Sequence, residues 1–379
     1  MDLDFTPEQD LLRETVRGLC ARHCGLDVVR QLEDDPVGYP EKLWLQLGEL
    51  GLLDMTFLAP QALARADDGQ GAGSTTVAHR PSGLGLSMLD AAIVYQELGR
   101  ALAPSPHFAS SVLSAGVLRL AGSEWLPRVT SGEAIVTPAW LEPGRGFGPA
   151  GVTLDGQRLT GTKRHVHFAA AADRLLVLAR DGDEIVFLLV DPKGPGVTLT
   201  QDKTISSDTQ YKVDFDGATG ERLAVTGWQT WHDVMLDGII LLAAQAVGGA
   251  RYALEITVQY AKDRQQFDKP LGAFQAIAHY LADAATAVDG AETLVHEAAW
   301  ARAEGRSVAR LAPMAKLFAG KTFRDLTATA QQIFGGVGFT VEYEIQLYFR
   351  RAKQLQISWW NDRYLEELIA EDVLGSSDS

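Results

Sequence analysis

The sequence predicts an α+β chain in which helices and strands are segregated by region, and argues against a doubly wound sheet. Three observations carry this. Up to about residue 133, apolar residues recur at helical spacing. From about Ala134 the period drops to two, and beyond about residue 230 it returns to the helical period and holds to about 370. The resulting division is a helical domain over 1–133, a β domain over 134–228, a helical domain over 229–373 and a disordered tail over 374–379.

The first helix opens at Thr6-Pro-Glu-Gln-Asp10. Thr6 can cap the first free N–H groups, and Pro7 suits a position where its missing donor is not needed. Leu11, Leu12, Val16 and Leu19 follow at helical spacing, and a second helical run, 43–53, ends on glycine. Residues 59–85 read as a mobile loop, rich in Gly, Ala, Asp, Ser and Thr. Helices are expected again over 87–103 and 109–121. In the β region, 152–161 reads as a hairpin turning at Asp155-Gly156, 174–179 and 184–190 as apolar strands, and 196–200 and 211–215 complete a sheet or small barrel. In the last region Leu242, Ala246, Ala250, Leu254, Val258 and Ala261 line one stripe of a helix, and 276–302 forms another. Pro270 and Gly272 break the run between them.

The chain has 379 residues, enough for a large core. A net charge of -15 argues against nucleic acid and anionic membrane as partners. No apolar run reads as a membrane span, and the acidic N-terminus lacks the basic and apolar regions of a signal peptide, so a cytoplasmic location is expected. Cys20 and Cys24, one helical turn apart, read as ordinary thiols, and no His or Cys cluster forms a metal site.

The stretch between the two long helices is Arg264-Gln-Gln-Phe-Asp-Lys-Pro-Leu-Gly-Ala-Phe-Gln275. An arginine ending a helix complements the dipole there and can grip a phosphate bidentately. Arg-x-x-Phe-x-x-Pro-Leu-x-x-Phe-Gln in this setting resembles the FAD-binding turn of acyl-CoA dehydrogenases. A second stretch, Gln332-Ile-Phe-Gly-Gly-Val-Gly-Phe-Thr340, resembles the same family's glycine-rich motif, and the likeness extends over nearly the whole chain. It implies an N-terminal helical domain, a middle β domain and a C-terminal four-helix bundle, with FAD between the last two and across a subunit interface. Arg264 would contact the pyrophosphate, Phe267 and Gln275 the adenosine side, and Gln332, Gly335, Gly336 and Gly338 would reach in from the neighbouring subunit. Glycines there would let backbone N–H groups approach phosphate oxygens.

At the flavin-ring end the chain departs from the family. Thr-Glu-Pro-Gly-x-Gly-Ser-Asp appears as Leu141-Glu-Pro-Gly-Arg-Gly-Phe-Gly148, and the flavin-side Trp is His165. The implied reaction takes a proton α to a thioester and a hydride from Cβ, so it needs a general base. The family's two Glu positions fall on Trp359 and Gly238. Asp237 and, less directly, Asp362 are the carboxylates beside them. The C-terminal half resembles the short bacterial subunits of α2β2 enzymes, including those acting on sterol side chains, and there one subunit can supply a base that another lacks.

Three readings stay open. The chain is an acyl-CoA dehydrogenase subunit, homo- or hetero-oligomeric, passing electrons to an electron-transfer flavoprotein, with Trp359 and Trp360 reshaping the acyl pocket. It is a flavoenzyme of the same fold with other chemistry, His165 and His167 serving as acid and base. Or it is a non-catalytic partner that completes another subunit's FAD site.

Overall fold

In a computed structural model, described over residues 5–55 and 86–375, the helices in chain order are α1 (Pro7–His23), α2 (Leu26–Gln31), α3 (Glu41–Glu49), α4 (Met88–Arg100), α5 (Ala115–Leu120), α6 (Trp125–Thr130), α7 (Trp228–Asp263), α8 (Gln275–Ala303), α9 (Leu311–Phe334), α10 (Ile345–Ile357) and α11 (Asp362–Leu374). The strands are β1 (Val136–Ala139), β2 (Thr153–Asp155), β3 (Arg158–His167), β4 (Arg174–Asp181), β5 (Glu184–Val190), β6 (Val197–Asp202), β7 (Gln210–Ala218) and β8 (Gly220–Thr226). The expected mobile loop at 59–85 and residues 376–379 of the expected tail lie outside the described residues.

Two compact units form. Among the described residues, one takes 5–30, 88–103 and 239–375, and the other 31–55, 86–87 and 104–238. In the helical unit, α1 starts with a reciprocal cap: the Gln9 N–H donates to Thr6 Oγ1 at 3.3 Å, and the Thr6 N–H to Gln9 Oε1 at 3.1 Å. α4 crosses α7 at backbone contact, because Gly99 and Gly248 carry no side chain. A Cβ at Gly248 would stand 1.8 Å from the Gln96 carbonyl oxygen. The most apolar window of α7 has the length and hydropathy of a membrane span, which the sequence reading did not register. It is 83% buried within the protein, as a core helix would be.

The sheet unit is built on a mixed sheet of order β6-β7-β3-β2-β4-β5-β8, with β1 parallel to β4. Among the described residues nothing pairs β6 with β8, so the ladder stays open and the small-barrel alternative does not apply. The hairpin at Asp155-Gly156 forms β2 and β3, Asp155 facing Arg158. The expected helix over 109–121 begins as a π-helix, Phe108–Ser114, before continuing as α5. Apolar periodicity does not separate these two ladders, and a π-helix commonly marks a place where function bends a helix.

Candidate active site

Two turns lie together at one end of the helical unit. α7 stops at Asp263, and the Arg264 N–H still donates to the Tyr260 carbonyl at 2.9 Å. Gln265–Gln266 then pairs antiparallel with Lys269–Pro270, so Phe267 (φ 53) and Asp268 (φ 60) form the two-residue tip. Two non-glycine residues in the left-handed region store local strain. The sequence placed the bend at Pro270 and Gly272; Phe-Asp carries no turn signature and hid the hairpin. The Phe267 side chain is 87% exposed, and Arg264 is exposed with no side-chain partner among the described residues.

The second turn follows α9. Gly335 has φ 65, and neither it nor Gly336 has an atom within 4 Å of where a Cβ would stand. Their backbone faces are open to a ligand's approach. A Cβ on Gly338 would meet Gln331 Oε1 at 2.6 Å, and both ends of the buried Gln331 amide are without a hydrogen-bond partner among the described residues. The Tyr260 ring stacks on Phe334 at 4.1 Å with 15° between planes, which joins the Arg264 turn to the glycine turn within one chain. By the resemblance, the glycine turn would serve the FAD site of a neighbouring subunit. Gln275 and Gln332 are exposed on the helices that flank them.

In the sheet unit, His165 stands at φ 53 where the β3–β7 register slips between Lys163 and Val166, and it is exposed. Its Nδ1 lies 3.0 Å from Gln210 Oε1, Gln210 Nε2 donates to Asp208 Oδ2 at 3.0 Å, and His167 Nδ1 is 3.6 Å from that carboxylate oxygen. The two histidines thus share one polar network. Lys163, fully buried, donates to Glu142 Oε1 at 2.6 Å and to the Trp140 carbonyl at 3.2 Å. Burial pushes Lys163 down to about 8 against the pull of Glu142. The sequence reading passed over this pair. A lysine on the inward face of an alternating strand was its available signal.

The family's two base positions are filled in ways the sequence could not show. Gly238 has no room: a Cβ there would lie 2.8 Å from Leu113 Cδ2 and 3.1 Å from Phe108 Cζ. Trp359 is buried at φ 65, and Trp360 is wholly buried with its carbonyl accepting from Lys316 Nζ at 2.8 Å. Lys316 also donates to the Leu355 carbonyl at 3.2 Å, and burial lowers it to about 7, with Asp362 pulling the other way. Asp362 accepts from Gln356 Nε2 at 2.6 Å. Asp237 is only 7% exposed, so it is no solvated surface acid.

Comparison with known proteins bears on the family and the fold. Residues 226–374 match the family model described as acyl-CoA dehydrogenase, C-terminal domain, and residues 6–61 match acyl-CoA dehydrogenase, N-terminal domain. The chain is 30% identical over 352 residues to acyl-CoA dehydrogenase IpdE2 of Mycobacterium tuberculosis, covering 91% of each. It is 29% identical over 350 residues to acyl-CoA dehydrogenase IpdE2 of Mycolicibacterium smegmatis, covering 92% of this chain and 93% of that one. Among solved structures, a chain of the ChsE4-ChsE5 complex from Mycobacterium tuberculosis superposes with a TM-score of 0.84 at 26% identity, over 99% of this chain and 100% of that one.

Proposed function

The chain belongs to the acyl-CoA dehydrogenase family and is an FAD-dependent oxidoreductase, and on that premise we propose that it desaturates an acyl-CoA thioester at Cα–Cβ as one subunit of a heteromeric enzyme. The residues of the two turns fit FAD. Arg264 offers a free guanidinium for the diphosphate, and Gly335 and Gly336 offer uncovered backbone. Phe267 and Gln275 would lie along the adenosine, Gln332 and Gly338 would complete the cradle, and His165 would edge the flavin ring. Bound FAD supplies the sink for the electron pair leaving the substrate.

The observation that carries the heteromeric part is the closure of Gly238 together with the burial of Trp359. Neither family position presents a carboxylate in this chain, and on this reading a homologous partner would supply it. Burial of Asp237 favours a second reading in which it takes the α-proton itself. Phe339 and Val341 are exposed apolar side chains beside the glycine turn, which suits an oligomer, and an α2β2 form is the one proposed. Within this reading the acceptor is an electron-transfer flavoprotein, the setting is cytoplasmic, and the pathway is lipid metabolism.

The test is a visible spectrum of the chain alone and co-expressed with a homologous subunit, followed by acyl-CoA titration. Bleaching of the flavin band only in the pair supports the proposal; full turnover by the chain alone removes the need for a partner. Asp237→Asn separates the bases, since loss of a general base should cost about 100-fold or more in rate. Arg264→Ala and Gly336→Asp variants that fold and keep their flavin would end the assignment of the cradle.

A further inference from the structure

The geometry points to Glu142 and Lys163 as positioning residues: a buried clasp that closes the loop 142–152 at its base and sets where that loop stands against β3. The clasp gathers both ends of the loop onto one carboxylate. Glu142 Oε1 and Oε2 each accept from the Gly151 N–H at 2.8 Å, and Oε1 accepts from the Val152 N–H at 2.8 Å. Lys163 Nζ binds the same carboxylate at 2.6 Å and the Trp140 carbonyl, just before the loop, at 3.2 Å. The Arg164 N–H donates to the Leu141 carbonyl at 2.9 Å, so two consecutive residues of β3 hold the loop's entry. The pair is dry: the Lys163 and Glu142 side chains are 0% and 7% exposed.

Gly144 (φ 72) and Gly146 (φ 60) have nothing within 4 Å of a Cβ position. The glycines leave the tip open, while Arg145 between them folds back to within 3.5 Å of Glu142 Oε2, so the tip is tied to the same carboxylate as the root. The consequence for the flavin rests on the proposed placement of His165, two residues beyond Lys163 on the same strand. A loop released at its root would leave that edge of the site unfixed.

The charged groups facing Lys163 are Glu142 and, more weakly, Arg145, which sits 3.5 Å from Glu142 Oε2. Lys163, held down to about 8 by burial, loses its proton just above neutrality, and the ion pair then becomes an amine beside a carboxylate. The pair is accordingly open to a test that needs no substitution.

The experiment is hydrogen exchange of the full chain without added cofactor, with FAD affinity measured in parallel. Between pH 7 and pH 9.5, exchange in 143–152, corrected for its intrinsic pH dependence, should rise relative to that of β4 and β5. The double variant E142Q/K163M removes both charges, so no charge is left buried alone. It should melt near the wild type yet exchange the Gly151 and Val152 amides about 10-fold faster or more, the effect of losing charge-assisted bonds. Its Kd for FAD should weaken by a similar factor. Unchanged exchange in 143–152, either in wild type across that pH range or in the folded double variant, overturns the clasp. Faster exchange with an unchanged FAD affinity overturns its role in positioning the site. If the wild type takes no FAD, exchange still decides the clasp, and the cofactor assignment is what falls.

Discussion

Gly238→Ala, followed by Gly238→Glu, tests whether this chain could house a base at the position where relatives of its family carry one. An interior helix glycine replaced by alanine would ordinarily gain about 1 kcal/mol from helix propensity. Here the new methyl must fit 2.8 Å from Leu113 Cδ2 and 3.1 and 3.2 Å from two Phe108 ring atoms. Overpacking of that kind costs about 1–3 kcal/mol, so the two effects nearly offset or the alanine loses by up to about 2 kcal/mol. Glutamate adds four more heavy atoms beyond the methyl, three of them a carboxylate, among the buried Phe108 and Leu113, and should lose at least about 3 kcal/mol. At roughly 2–4 °C per kcal/mol for a chain of this size class, the expected falls in Tm are about 0–8 °C for alanine and at least about 6 °C for glutamate. The assay is thermal melting by circular dichroism, with acyl-CoA turnover measured on the folded fraction. A Gly238→Ala variant more stable than wild type would refute the closure. So would a Gly238→Glu variant that melts normally and gains activity.

Other consequences are as direct. His107 is buried, its Nε2 lies 2.8 Å from the Leu52 carbonyl, and burial drives it down to about 4. With the folded value below the free one, stability is complete above about pH 6.5 and is lost as pH falls toward 4, by at most about 3 kcal/mol. His107→Gln should flatten that slope in urea titrations run across this range. Lys316, lowered to about 7, acts in the same sense at higher pH: the unfolded chain holds the proton more tightly, so stability rises with pH above about 7. Lys316→Met should reduce the rise between pH 7 and 8.5, a window chosen below pH 9, where buried Cys20 and Cys24, both pushed up to about 12, begin to act in the opposite sense. Gly248→Ala must drive a Cβ into the Gln96 backbone at 1.8–2.8 Å, where nothing flexible can yield. Its urea midpoint should fall by the equivalent of about 3 kcal/mol or more, at the top of the overpacking range, with an unchanged m value.

Much of the fold was legible because periodicity reports burial. The switch from a period near 3.6 to a period of two falls where β1 begins at Val136, and the Asp155-Gly156 turn is a local signal with a local cause. What stayed hidden depends on contacts distant in sequence. β8 alternates weakly because Leu223 is its one buried residue, and it is recruited by pairing with β5. The π-helix at Phe108–Ser114 differs from an α-helix only in its hydrogen-bond ladder. At the candidate site, the motifs located Arg264 and the glycine turn. They could not show that Tyr260 and Phe334 stack them side by side, nor that Gly238 is walled by residues more than a hundred positions earlier. Lys163 and Glu142 belong to the same class, each ordinary alone and informative only as a buried pair.

Two lysines in this protein, Lys163 and Lys316, sit with their ammonium groups destabilised and their side chains sealed from solvent. A neutral amine is a good nucleophile, and a thioester is an acylating agent. An enzyme that binds acyl-CoA is therefore bathed in a reagent for its own unprotonated lysines. Burial is what keeps these two unmodified. Should the chain open while thioester is present, acylation of either amine would leave an amide too large for its former place among the Glu142 or Trp360 contacts, and refolding would be blocked. The same dehydration that makes these lysines weak bases also shields them, since in an opened chain both return to the ordinary lysine range and meet thioester only as any exposed lysine does.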